Sequence, residues 1–531
     1  MDQKKFFSCI VLLILVVQVF ARDTSFTSKL PLIFINTNGR EIPDEPKILV
    51  DMGIVWNGEG EENSTSDDFN HYFGKVGIEI RGSTSQSFPK KSYSFETRNQ
   101  VGEDIDFPIL GLPEEEDWIL YAPYSDKSLI RNALTFSLAK PLGHYASRCR
   151  FVELFLNNEY QGIYVLMEKI KREDTRVDIE KLTPDETRGV DLTGGYIVKI
   201  DKTTGSGGKG WHSKYPNLNG SYNYYQYEVP AADEIMPEQK QYIQNYIDEF
   251  EEALFEENFT GRNSYIHYIN MASFIDYILV NELAKDVDAY RLSTFFHKGR
   301  NEKLRAGPIW DYNLAYGNAN YDDAWLTEGF RVENDFDYNP FWWEKFWADT
   351  VFVNYQKCRW EMLREEQWSD IRIFEVVDSL VAVMGDAIDR NFERWPVLGK
   401  PVWPNYFVGE NHGEEIDWLK NWLADRLWWL DNNMPGNCIY EWPPHIEDID
   451  VSVYPNPVIS ELKLDVASGS GTEIHFRLFN VNGSLVMEKN LSIAEGNQLI
   501  SIQAGDLPKG IYFYVLSENY SPFQKGKLVK Y

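Results

Sequence analysis

An α+β body followed by a small all-β sandwich is the architecture this 531-residue chain encodes. Three features point there. Short period-two runs dominate residues 30–200, helical spacing takes over in 236–284 and 340–435, and near residue 450 both charge and texture change. The length calls for two or more domains. At 43% apolar and 15% aromatic the chain can bury a large core, which excludes global disorder. A formal charge of −30 repels a bare phosphate backbone, so no nucleic-acid partner is expected. Four Cys exclude both a disulfide-stapled scaffold and a Cys-rich zinc module.

In chain order, residues 1–21 read as a secretory signal peptide. Lys4 and Lys5 precede an apolar run from Phe6 to Phe20, and Ala21 is small enough for a cleavage site. The run is short for a spanning helix, and no later stretch approaches one, so the mature chain is expected to have no transmembrane segment. Cys9 leaves with the leader. Cys149, Cys358 and Cys438 remain, and three cysteines allow at most one bridge.

The body, 22–440, begins with strands. Val76–Arg81 and Ser92–Glu96 alternate, and Arg150–Leu156, Asn157-Asn158 and Gly162–Met167 read as a hairpin. Residues 128–140 place Leu129, Ala133, Phe136 and Leu138 near one helix face. The stretch 203–225, rich in Gly, Ser, Asn and Tyr, reads as a mobile surface loop. Its neighbouring tyrosines 222, 224, 225 and 227 read as exposed. Met271–Leu283 is apolar nearly all round, which predicts a central helix. Phe341-Trp342-Trp343-Glu344-Lys345-Phe346-Trp347 reads as core rather than as a glycan platform.

An acidic, Pro-containing linker at 441–450 leads to the tail. Residues 451–531 hold seven Lys+Arg and seven Asp+Glu, so the tail is neutral and the first 450 residues carry the whole charge. Leu462–Val466 and Ile474–Phe479 alternate, Asn480-Val481-Asn482-Gly483 is a turn, and Ile511–Val515 and Gly526–Lys530 are further strands. Tyr454-Pro455-Asn456-Pro457, Asn482-Gly483 and Lys509-Gly510-Ile511-Tyr512 together resemble the type A sorting domain of proteins exported by the type IX secretion system. The resemblance covers the whole tail. It implies the type IX machinery as a partner, then release or attachment at the outer-membrane surface.

The chemistry concentrates between Asp286 and Asn318. A helix ends at Asp286-Val287-Asp288-Ala289-Tyr290, a β-hairpin follows, and Gly307-Pro308-Ile309-Trp310-Asp311-Tyr312-Asn313 forms a second acidic loop. Two acidic loops joined by a hairpin can converge on one site. One carboxylate can accept a proton from an attacking hydroxyl and the other can hold Mg²⁺ against phosphate oxygens. Asp286 and Asp288 are alternatives for the first role. Upstream, Arg81-Gly82-Ser83-Thr84-Ser85-Gln86-Ser87 offers a small, hydroxyl-rich loop. Arg81 and Lys91 can neutralise phosphate, and Glu168 can pair with such a Lys.

These words carry a second resemblance. Ile80–Ser85, Phe88–Tyr93, Gly162–Glu168, Gly195–Lys199, Asp286–Tyr290 and Gly307–Asp311 are similar to the spore-coat protein H (CotH) kinase family in its secreted bacterial form. The resemblance spans residues 30–435. It implies an atypical protein-kinase-like domain that transfers the γ-phosphoryl group of ATP to protein Ser or Thr, with Mg²⁺ or Mn²⁺. By carry-over, Asp288 matches the catalytic Asp and Asp311 the metal-binding Asp. Lys91 and Glu168 are the choices for the phosphate-binding Lys and its partner. Three departures stand out. There is no clear Gly-rich loop, Ser293 stands where a kinase loop carries a second metal-ligating Asn, and Asn313 stands near the place of a DFG-type Gly as a candidate extra ligand.

The alternative is a kinase-like surface binding or scaffold protein without catalysis. Other chemistries lack support. The eight His show no ligand spacing, no Gly-x-Ser-x-Gly occurs, and no spacing fixes two carboxylates across a sugar.

Overall fold

The computed structural model describes residues 26–203, 209–261, 263–334, 339–444, 449–468, 472–494, 496–518 and 521–531. The expected leader lies outside them, as do residues 445–448 of the expected linker.

The strand-rich start is a closed barrel rather than an open sheet. In spatial order its seven strands are Leu32–Asn36, Ile48–Val55, Tyr72–Arg81, Ser92–Arg98, Asp117–Tyr121, Glu159–Glu168 and Cys149–Leu156. Neighbours run antiparallel except the closing pair, where Leu32–Asn36 lies parallel to Cys149–Leu156. The alternation does what period two requires: Val76, Ile78, Phe95, Trp118 and Leu166 fill one barrel core. The expected hairpin forms, and Asn157 (φ +50) and Asn158 (φ +66) supply its left-handed turn.

A second, five-stranded sheet follows in the order Gly210–Pro216, Tyr222–Val229, Tyr196–Ile200, Thr294–Lys298, Arg305–Ala306, all antiparallel. This corrects the loop expected at 203–225. Outside the undescribed 204–208, that stretch is a strand pair, and Tyr225 is buried with its hydroxyl on Glu251 at 2.6 Å. Of the four tyrosines expected outside, only Tyr222 is exposed. Tyr alternation at 222–227 is therefore strand pleat, not an aromatic loop.

The central helix spans Met271–Ala284, with nearly every residue buried, as its all-round apolarity predicts. Asn270 Oδ1 accepts from the Ser273 amide at 3.0 Å and caps it. Around it pack Pro237–Phe255, Trp342–Ala348, Thr350–Glu365 and His412–Asn433. Trp342 and Trp343 are fully buried, so the Trp-rich stretch is core. Cys358 and Cys438 form a disulfide and Cys149 stays free. No helix among the described residues is long and apolar enough to cross a membrane.

The tail is a sandwich of a three-stranded and a four-stranded sheet. Its first strand starts at Ile449. Ile474, Phe476 and Leu478 face inward and the Asn480–Gly483 turn forms. One expectation is corrected: Ile511–Val515 is not buried throughout. Ile511 and Phe513 are exposed while Tyr512 points inward, because this strand has one face in water.

Candidate active site

Both acidic loops hang from the second sheet. The central helix ends at Lys285, whose φ of +44 turns the chain sharply. Asp286 and Asp288 follow at once, and the strand Thr294–Lys298 begins six residues after Asp288. Its partner Arg305–Ala306 leads to Asp311. The hairpin thus delivers both loops to one end of the sheet.

Each loop is pinned. Asp286 Oδ1 accepts from the Asp288 amide at 2.8 Å. Arg331, fully buried, donates to the Asp286 carbonyl at 2.9 Å and to the Val287 carbonyl. Tyr290 donates to Glu282 at 2.8 Å, and Glu282 also receives Arg426 at 3.2 Å. On the other loop, Asn132 accepts from the Tyr312 amide at 2.6 Å, directly after Asp311. Asp311 itself sits at φ +66, a backbone region that costs a non-glycine residue energy and recurs at functional sites.

The electrostatics show what converges. Burial, then repulsion from Asp288 and attraction to Arg81, leave the Asp311 carboxyl pushed up to about 6. By surface area the residue itself is exposed, so the protein around it, not enclosure, raises this carboxyl. Burial also raises Asp288, against the pull of Arg291, Lys202 and Arg331. The Arg291 guanidinium lies 3.0 Å from Asp288. Asp286 is held well above the carboxylate range by burial first and by Asp288 next. Its Oδ2 has no hydrogen-bond partner among the described residues although the side chain is only 2% exposed. Asp288 keeps about a quarter of its side-chain surface in solvent.

The barrel contributes Arg81 at the end of its strand. The guanidinium lies 5.5 Å over the Trp310 ring, beside Asp311. The loop after it forms a short 3-10 turn, Thr84–Ser87, between two antiparallel strands. Gly82 has φ +101, and a Cβ there would meet Ser85 Oγ at 2.1 Å, so only glycine fits. Tyr121 also reaches the site: burial, Asp126 and then Asp311 hold its phenol well above its usual range.

Two expected roles do not come together. Lys91 Nζ donates to the Gln86 carbonyl at 2.5 Å and so holds the loop. Glu168 pairs with Arg148 at 2.6 Å, not with Lys91. The register explains it. Tyr93 pairs with Leu120 and Leu120 with Leu166, which sets Lys91 level with Tyr164, whose hydroxyl donates to the Lys91 carbonyl. Glu168 is four residues further along that strand, roughly 13 Å away at about 3.3 Å per residue. Lys90 is buried, on the Ile163 carbonyl and Asn391. Asn313 lies beside the site with its carbonyl on Asn318 at 2.8 Å.

Two residues were missed by sequence reasoning. Asp201 and Lys202 leave the end of Tyr196–Ile200, and both act electrostatically on Asp288 and Asp311. Lys202 Nζ also lies 3.5 Å from Thr84 Oγ1, crossing from the sheet to the barrel loop. Their signal was a charged pair one residue beyond the Gly195–Lys199 run, after Ile200.

With this geometry in place, the CotH kinase protein family model matches residues 78–430. The chain belongs to the CotH kinase family. A Secretion system C-terminal sorting domain model matches residues 452–530, and this tail marks the CotH-family chain for secretion, released or held at the outer surface. No curated protein matches. Among solved structures, dimeric latent PorU from Porphyromonas gingivalis is 17% identical over 18% of this chain and 10% of that one, with a TM-score of 0.15. The CARDB domain of PF1109 from Pyrococcus furiosus is 12% identical over 17% of this chain and 96% of its own, with a TM-score of 0.13. The chain thus spans about a tenth of the PorU structure.

Proposed function

We propose that this secreted CotH-family protein is an atypical, kinase-like phosphotransferase that moves the γ-phosphoryl group of ATP to a protein Ser or Thr. The observation that carries the reading is that Asp311 feels both Asp288 and Arg81, three residues from three separate segments, with Arg81 over the adjacent Trp310 ring.

The donor set fits a divalent cation: hard carboxylate oxygens, one of them, at Asp286, buried without a partner among the described residues. Asp311 would hold Mg²⁺ or Mn²⁺, with Asn313 beside it. The ion, when bound, neutralises charge on the transferring phosphoryl group. Arg81 would bind phosphate oxygens, and the Gly82–Ser87 loop, held by Lys91, would flank them. Asp288, more open than Asp286, accepts the acceptor hydroxyl proton as that oxygen bonds to the γ-phosphorus and the bond to the ADP oxygen breaks. Asp286 positions Asp288 through its amide. Glu168 supports the barrel through Arg148.

The test is transfer from γ-labelled ATP to a panel of Ser/Thr proteins with the mature chain, beside Asp288→Asn and Asp311→Asn. Transfer by the wild type alone supports the reading. Ser293 in place of the second ligating Asn favours one alternative, a nucleotide-binding protein without transfer, and binding without turnover would select it.

A further inference from the structure

The catalytic loop carries Ser293 where a second metal ligand is expected, five residues after Asp288. The sheet answers that vacancy. Strand Tyr196–Ile200 runs antiparallel to Thr294–Lys298, and Ile200 pairs with Thr294. One step beyond the last pair, Asp201 comes level with Ser293. The strand end thus brings a carboxylate-bearing residue beside the loop residue that offers only a hydroxyl.

Asp201 is held there. Its carbonyl accepts from the buried Gln226 side chain at 2.6 Å, and its Oδ1 accepts from the Lys202 amide at 2.8 Å. A second observation points to a cation. Asp286, nine-tenths and more buried, lies close enough to Asp288 and Asp311 for each to repel it, and its Oδ2 is unpartnered among the described residues. A buried carboxylate oxygen left without a hydrogen-bond donor is costly unless a cation reaches it.

We infer that Asp201 is a metal-binding residue that supplies, from the adjacent strand, the ligand missing at Ser293, so that Asp201 and Asp311 together hold the divalent cation of the site. The inference rests on the kinase-like reading above and adds a ligand to it.

The test uses the mature full chain, Mn²⁺, and a non-hydrolysable ATP analogue, with free Mn²⁺ read by electron paramagnetic resonance. Asp201→Asn keeps the acceptor for the Lys202 amide and removes the charge. It is expected to weaken Mn²⁺ binding by about tenfold or more, with the thermal midpoint unchanged. Adding Ser293→Asp to Asp201→Asn returns a carboxylate to the same place, and Asp tolerates the left-handed backbone of Ser293 (φ +49), so affinity should recover. A purely structural Asp201 would not be rescued this way. Should Asp201→Asn fold poorly, Ser293→Lys sets an ammonium opposite an intact Asp201 and should expel Mn²⁺. If Asp201→Asn binds like the wild type while Asp311→Asn does not, the Asp201 assignment falls and the kinase-like reading stands. If the wild type binds no Mn²⁺, both fall.

Discussion

Arg81 is the strongest attractive charge on the Asp311 carboxyl, and its guanidinium rides 5.5 Å over the ring of the adjacent Trp310. One comes from a barrel strand and the other from a loop after the sheet hairpin, 230 residues later. Phosphate and metal chemistry need both signs of charge at one point, and this pair supplies them.

Asp288→Asn should keep nucleotide binding and lose transfer by about 10²- to 10⁴-fold, the usual worth of a general base. Calorimetry and a transfer assay on the same preparation separate the two.

Metal binding should weaken on acidification. The Asp311 carboxyl is pushed up to about 6, so protons compete with the cation below that pH and leave the carboxylate free above it. Mn²⁺ affinity measured between pH 5 and pH 8 should rise with pH, and Asp311→Asn should bind poorly across the whole range.

Glu251 gives a stability signature away from the site. It is fully buried, receives Tyr225, Ser213 and Trp342, and burial lifts it to about 7. A raised carboxyl favours the folded state most below its unfolded pKa and loses that advantage as pH rises through 7. Stability should therefore fall between pH 5 and pH 8, by about 3 kcal/mol from this group alone. Denaturant midpoints for Glu251→Gln should lack that share of the slope.

Arg426 and Glu282 form a fully buried pair that also braces Tyr290 and the Arg331 amide. Arg426→Met strands the carboxylate, so a loss of about 3–5 kcal/mol is expected in equilibrium unfolding. Arg426→Met with Glu282→Gln should regain part of it.

Much of this was legible in the text of the chain. The central helix showed in its all-round apolarity, the Asn157-Asn158 hairpin in its turn residues, and the two acidic loops in their spacing around a hairpin. Barrel closure was not legible, because the closing pair joins Leu32–Asn36 to Cys149–Leu156 over more than a hundred residues. The Lys91–Glu168 pairing misled for a related reason: both are near strand ends, but register sets them four residues apart along the sheet. Asp201 was overlooked because only the ladder to Thr294 brings it to the site. The Tyr-rich 203–225 stretch read as loop because Gly and Asn outweighed a pleat that shows only when Tyr225 meets Glu251.

The most direct measurement is Mg²⁺-dependent ATP binding by calorimetry on the mature chain, beside Asp311→Ala and Asp288→Ala. The account predicts that the wild type binds, Asp311→Ala loses binding and Asp288→Ala keeps it. A wild type that binds no ATP with Mg²⁺ or Mn²⁺, or an Asp311→Ala that binds as well as the wild type, would contradict it.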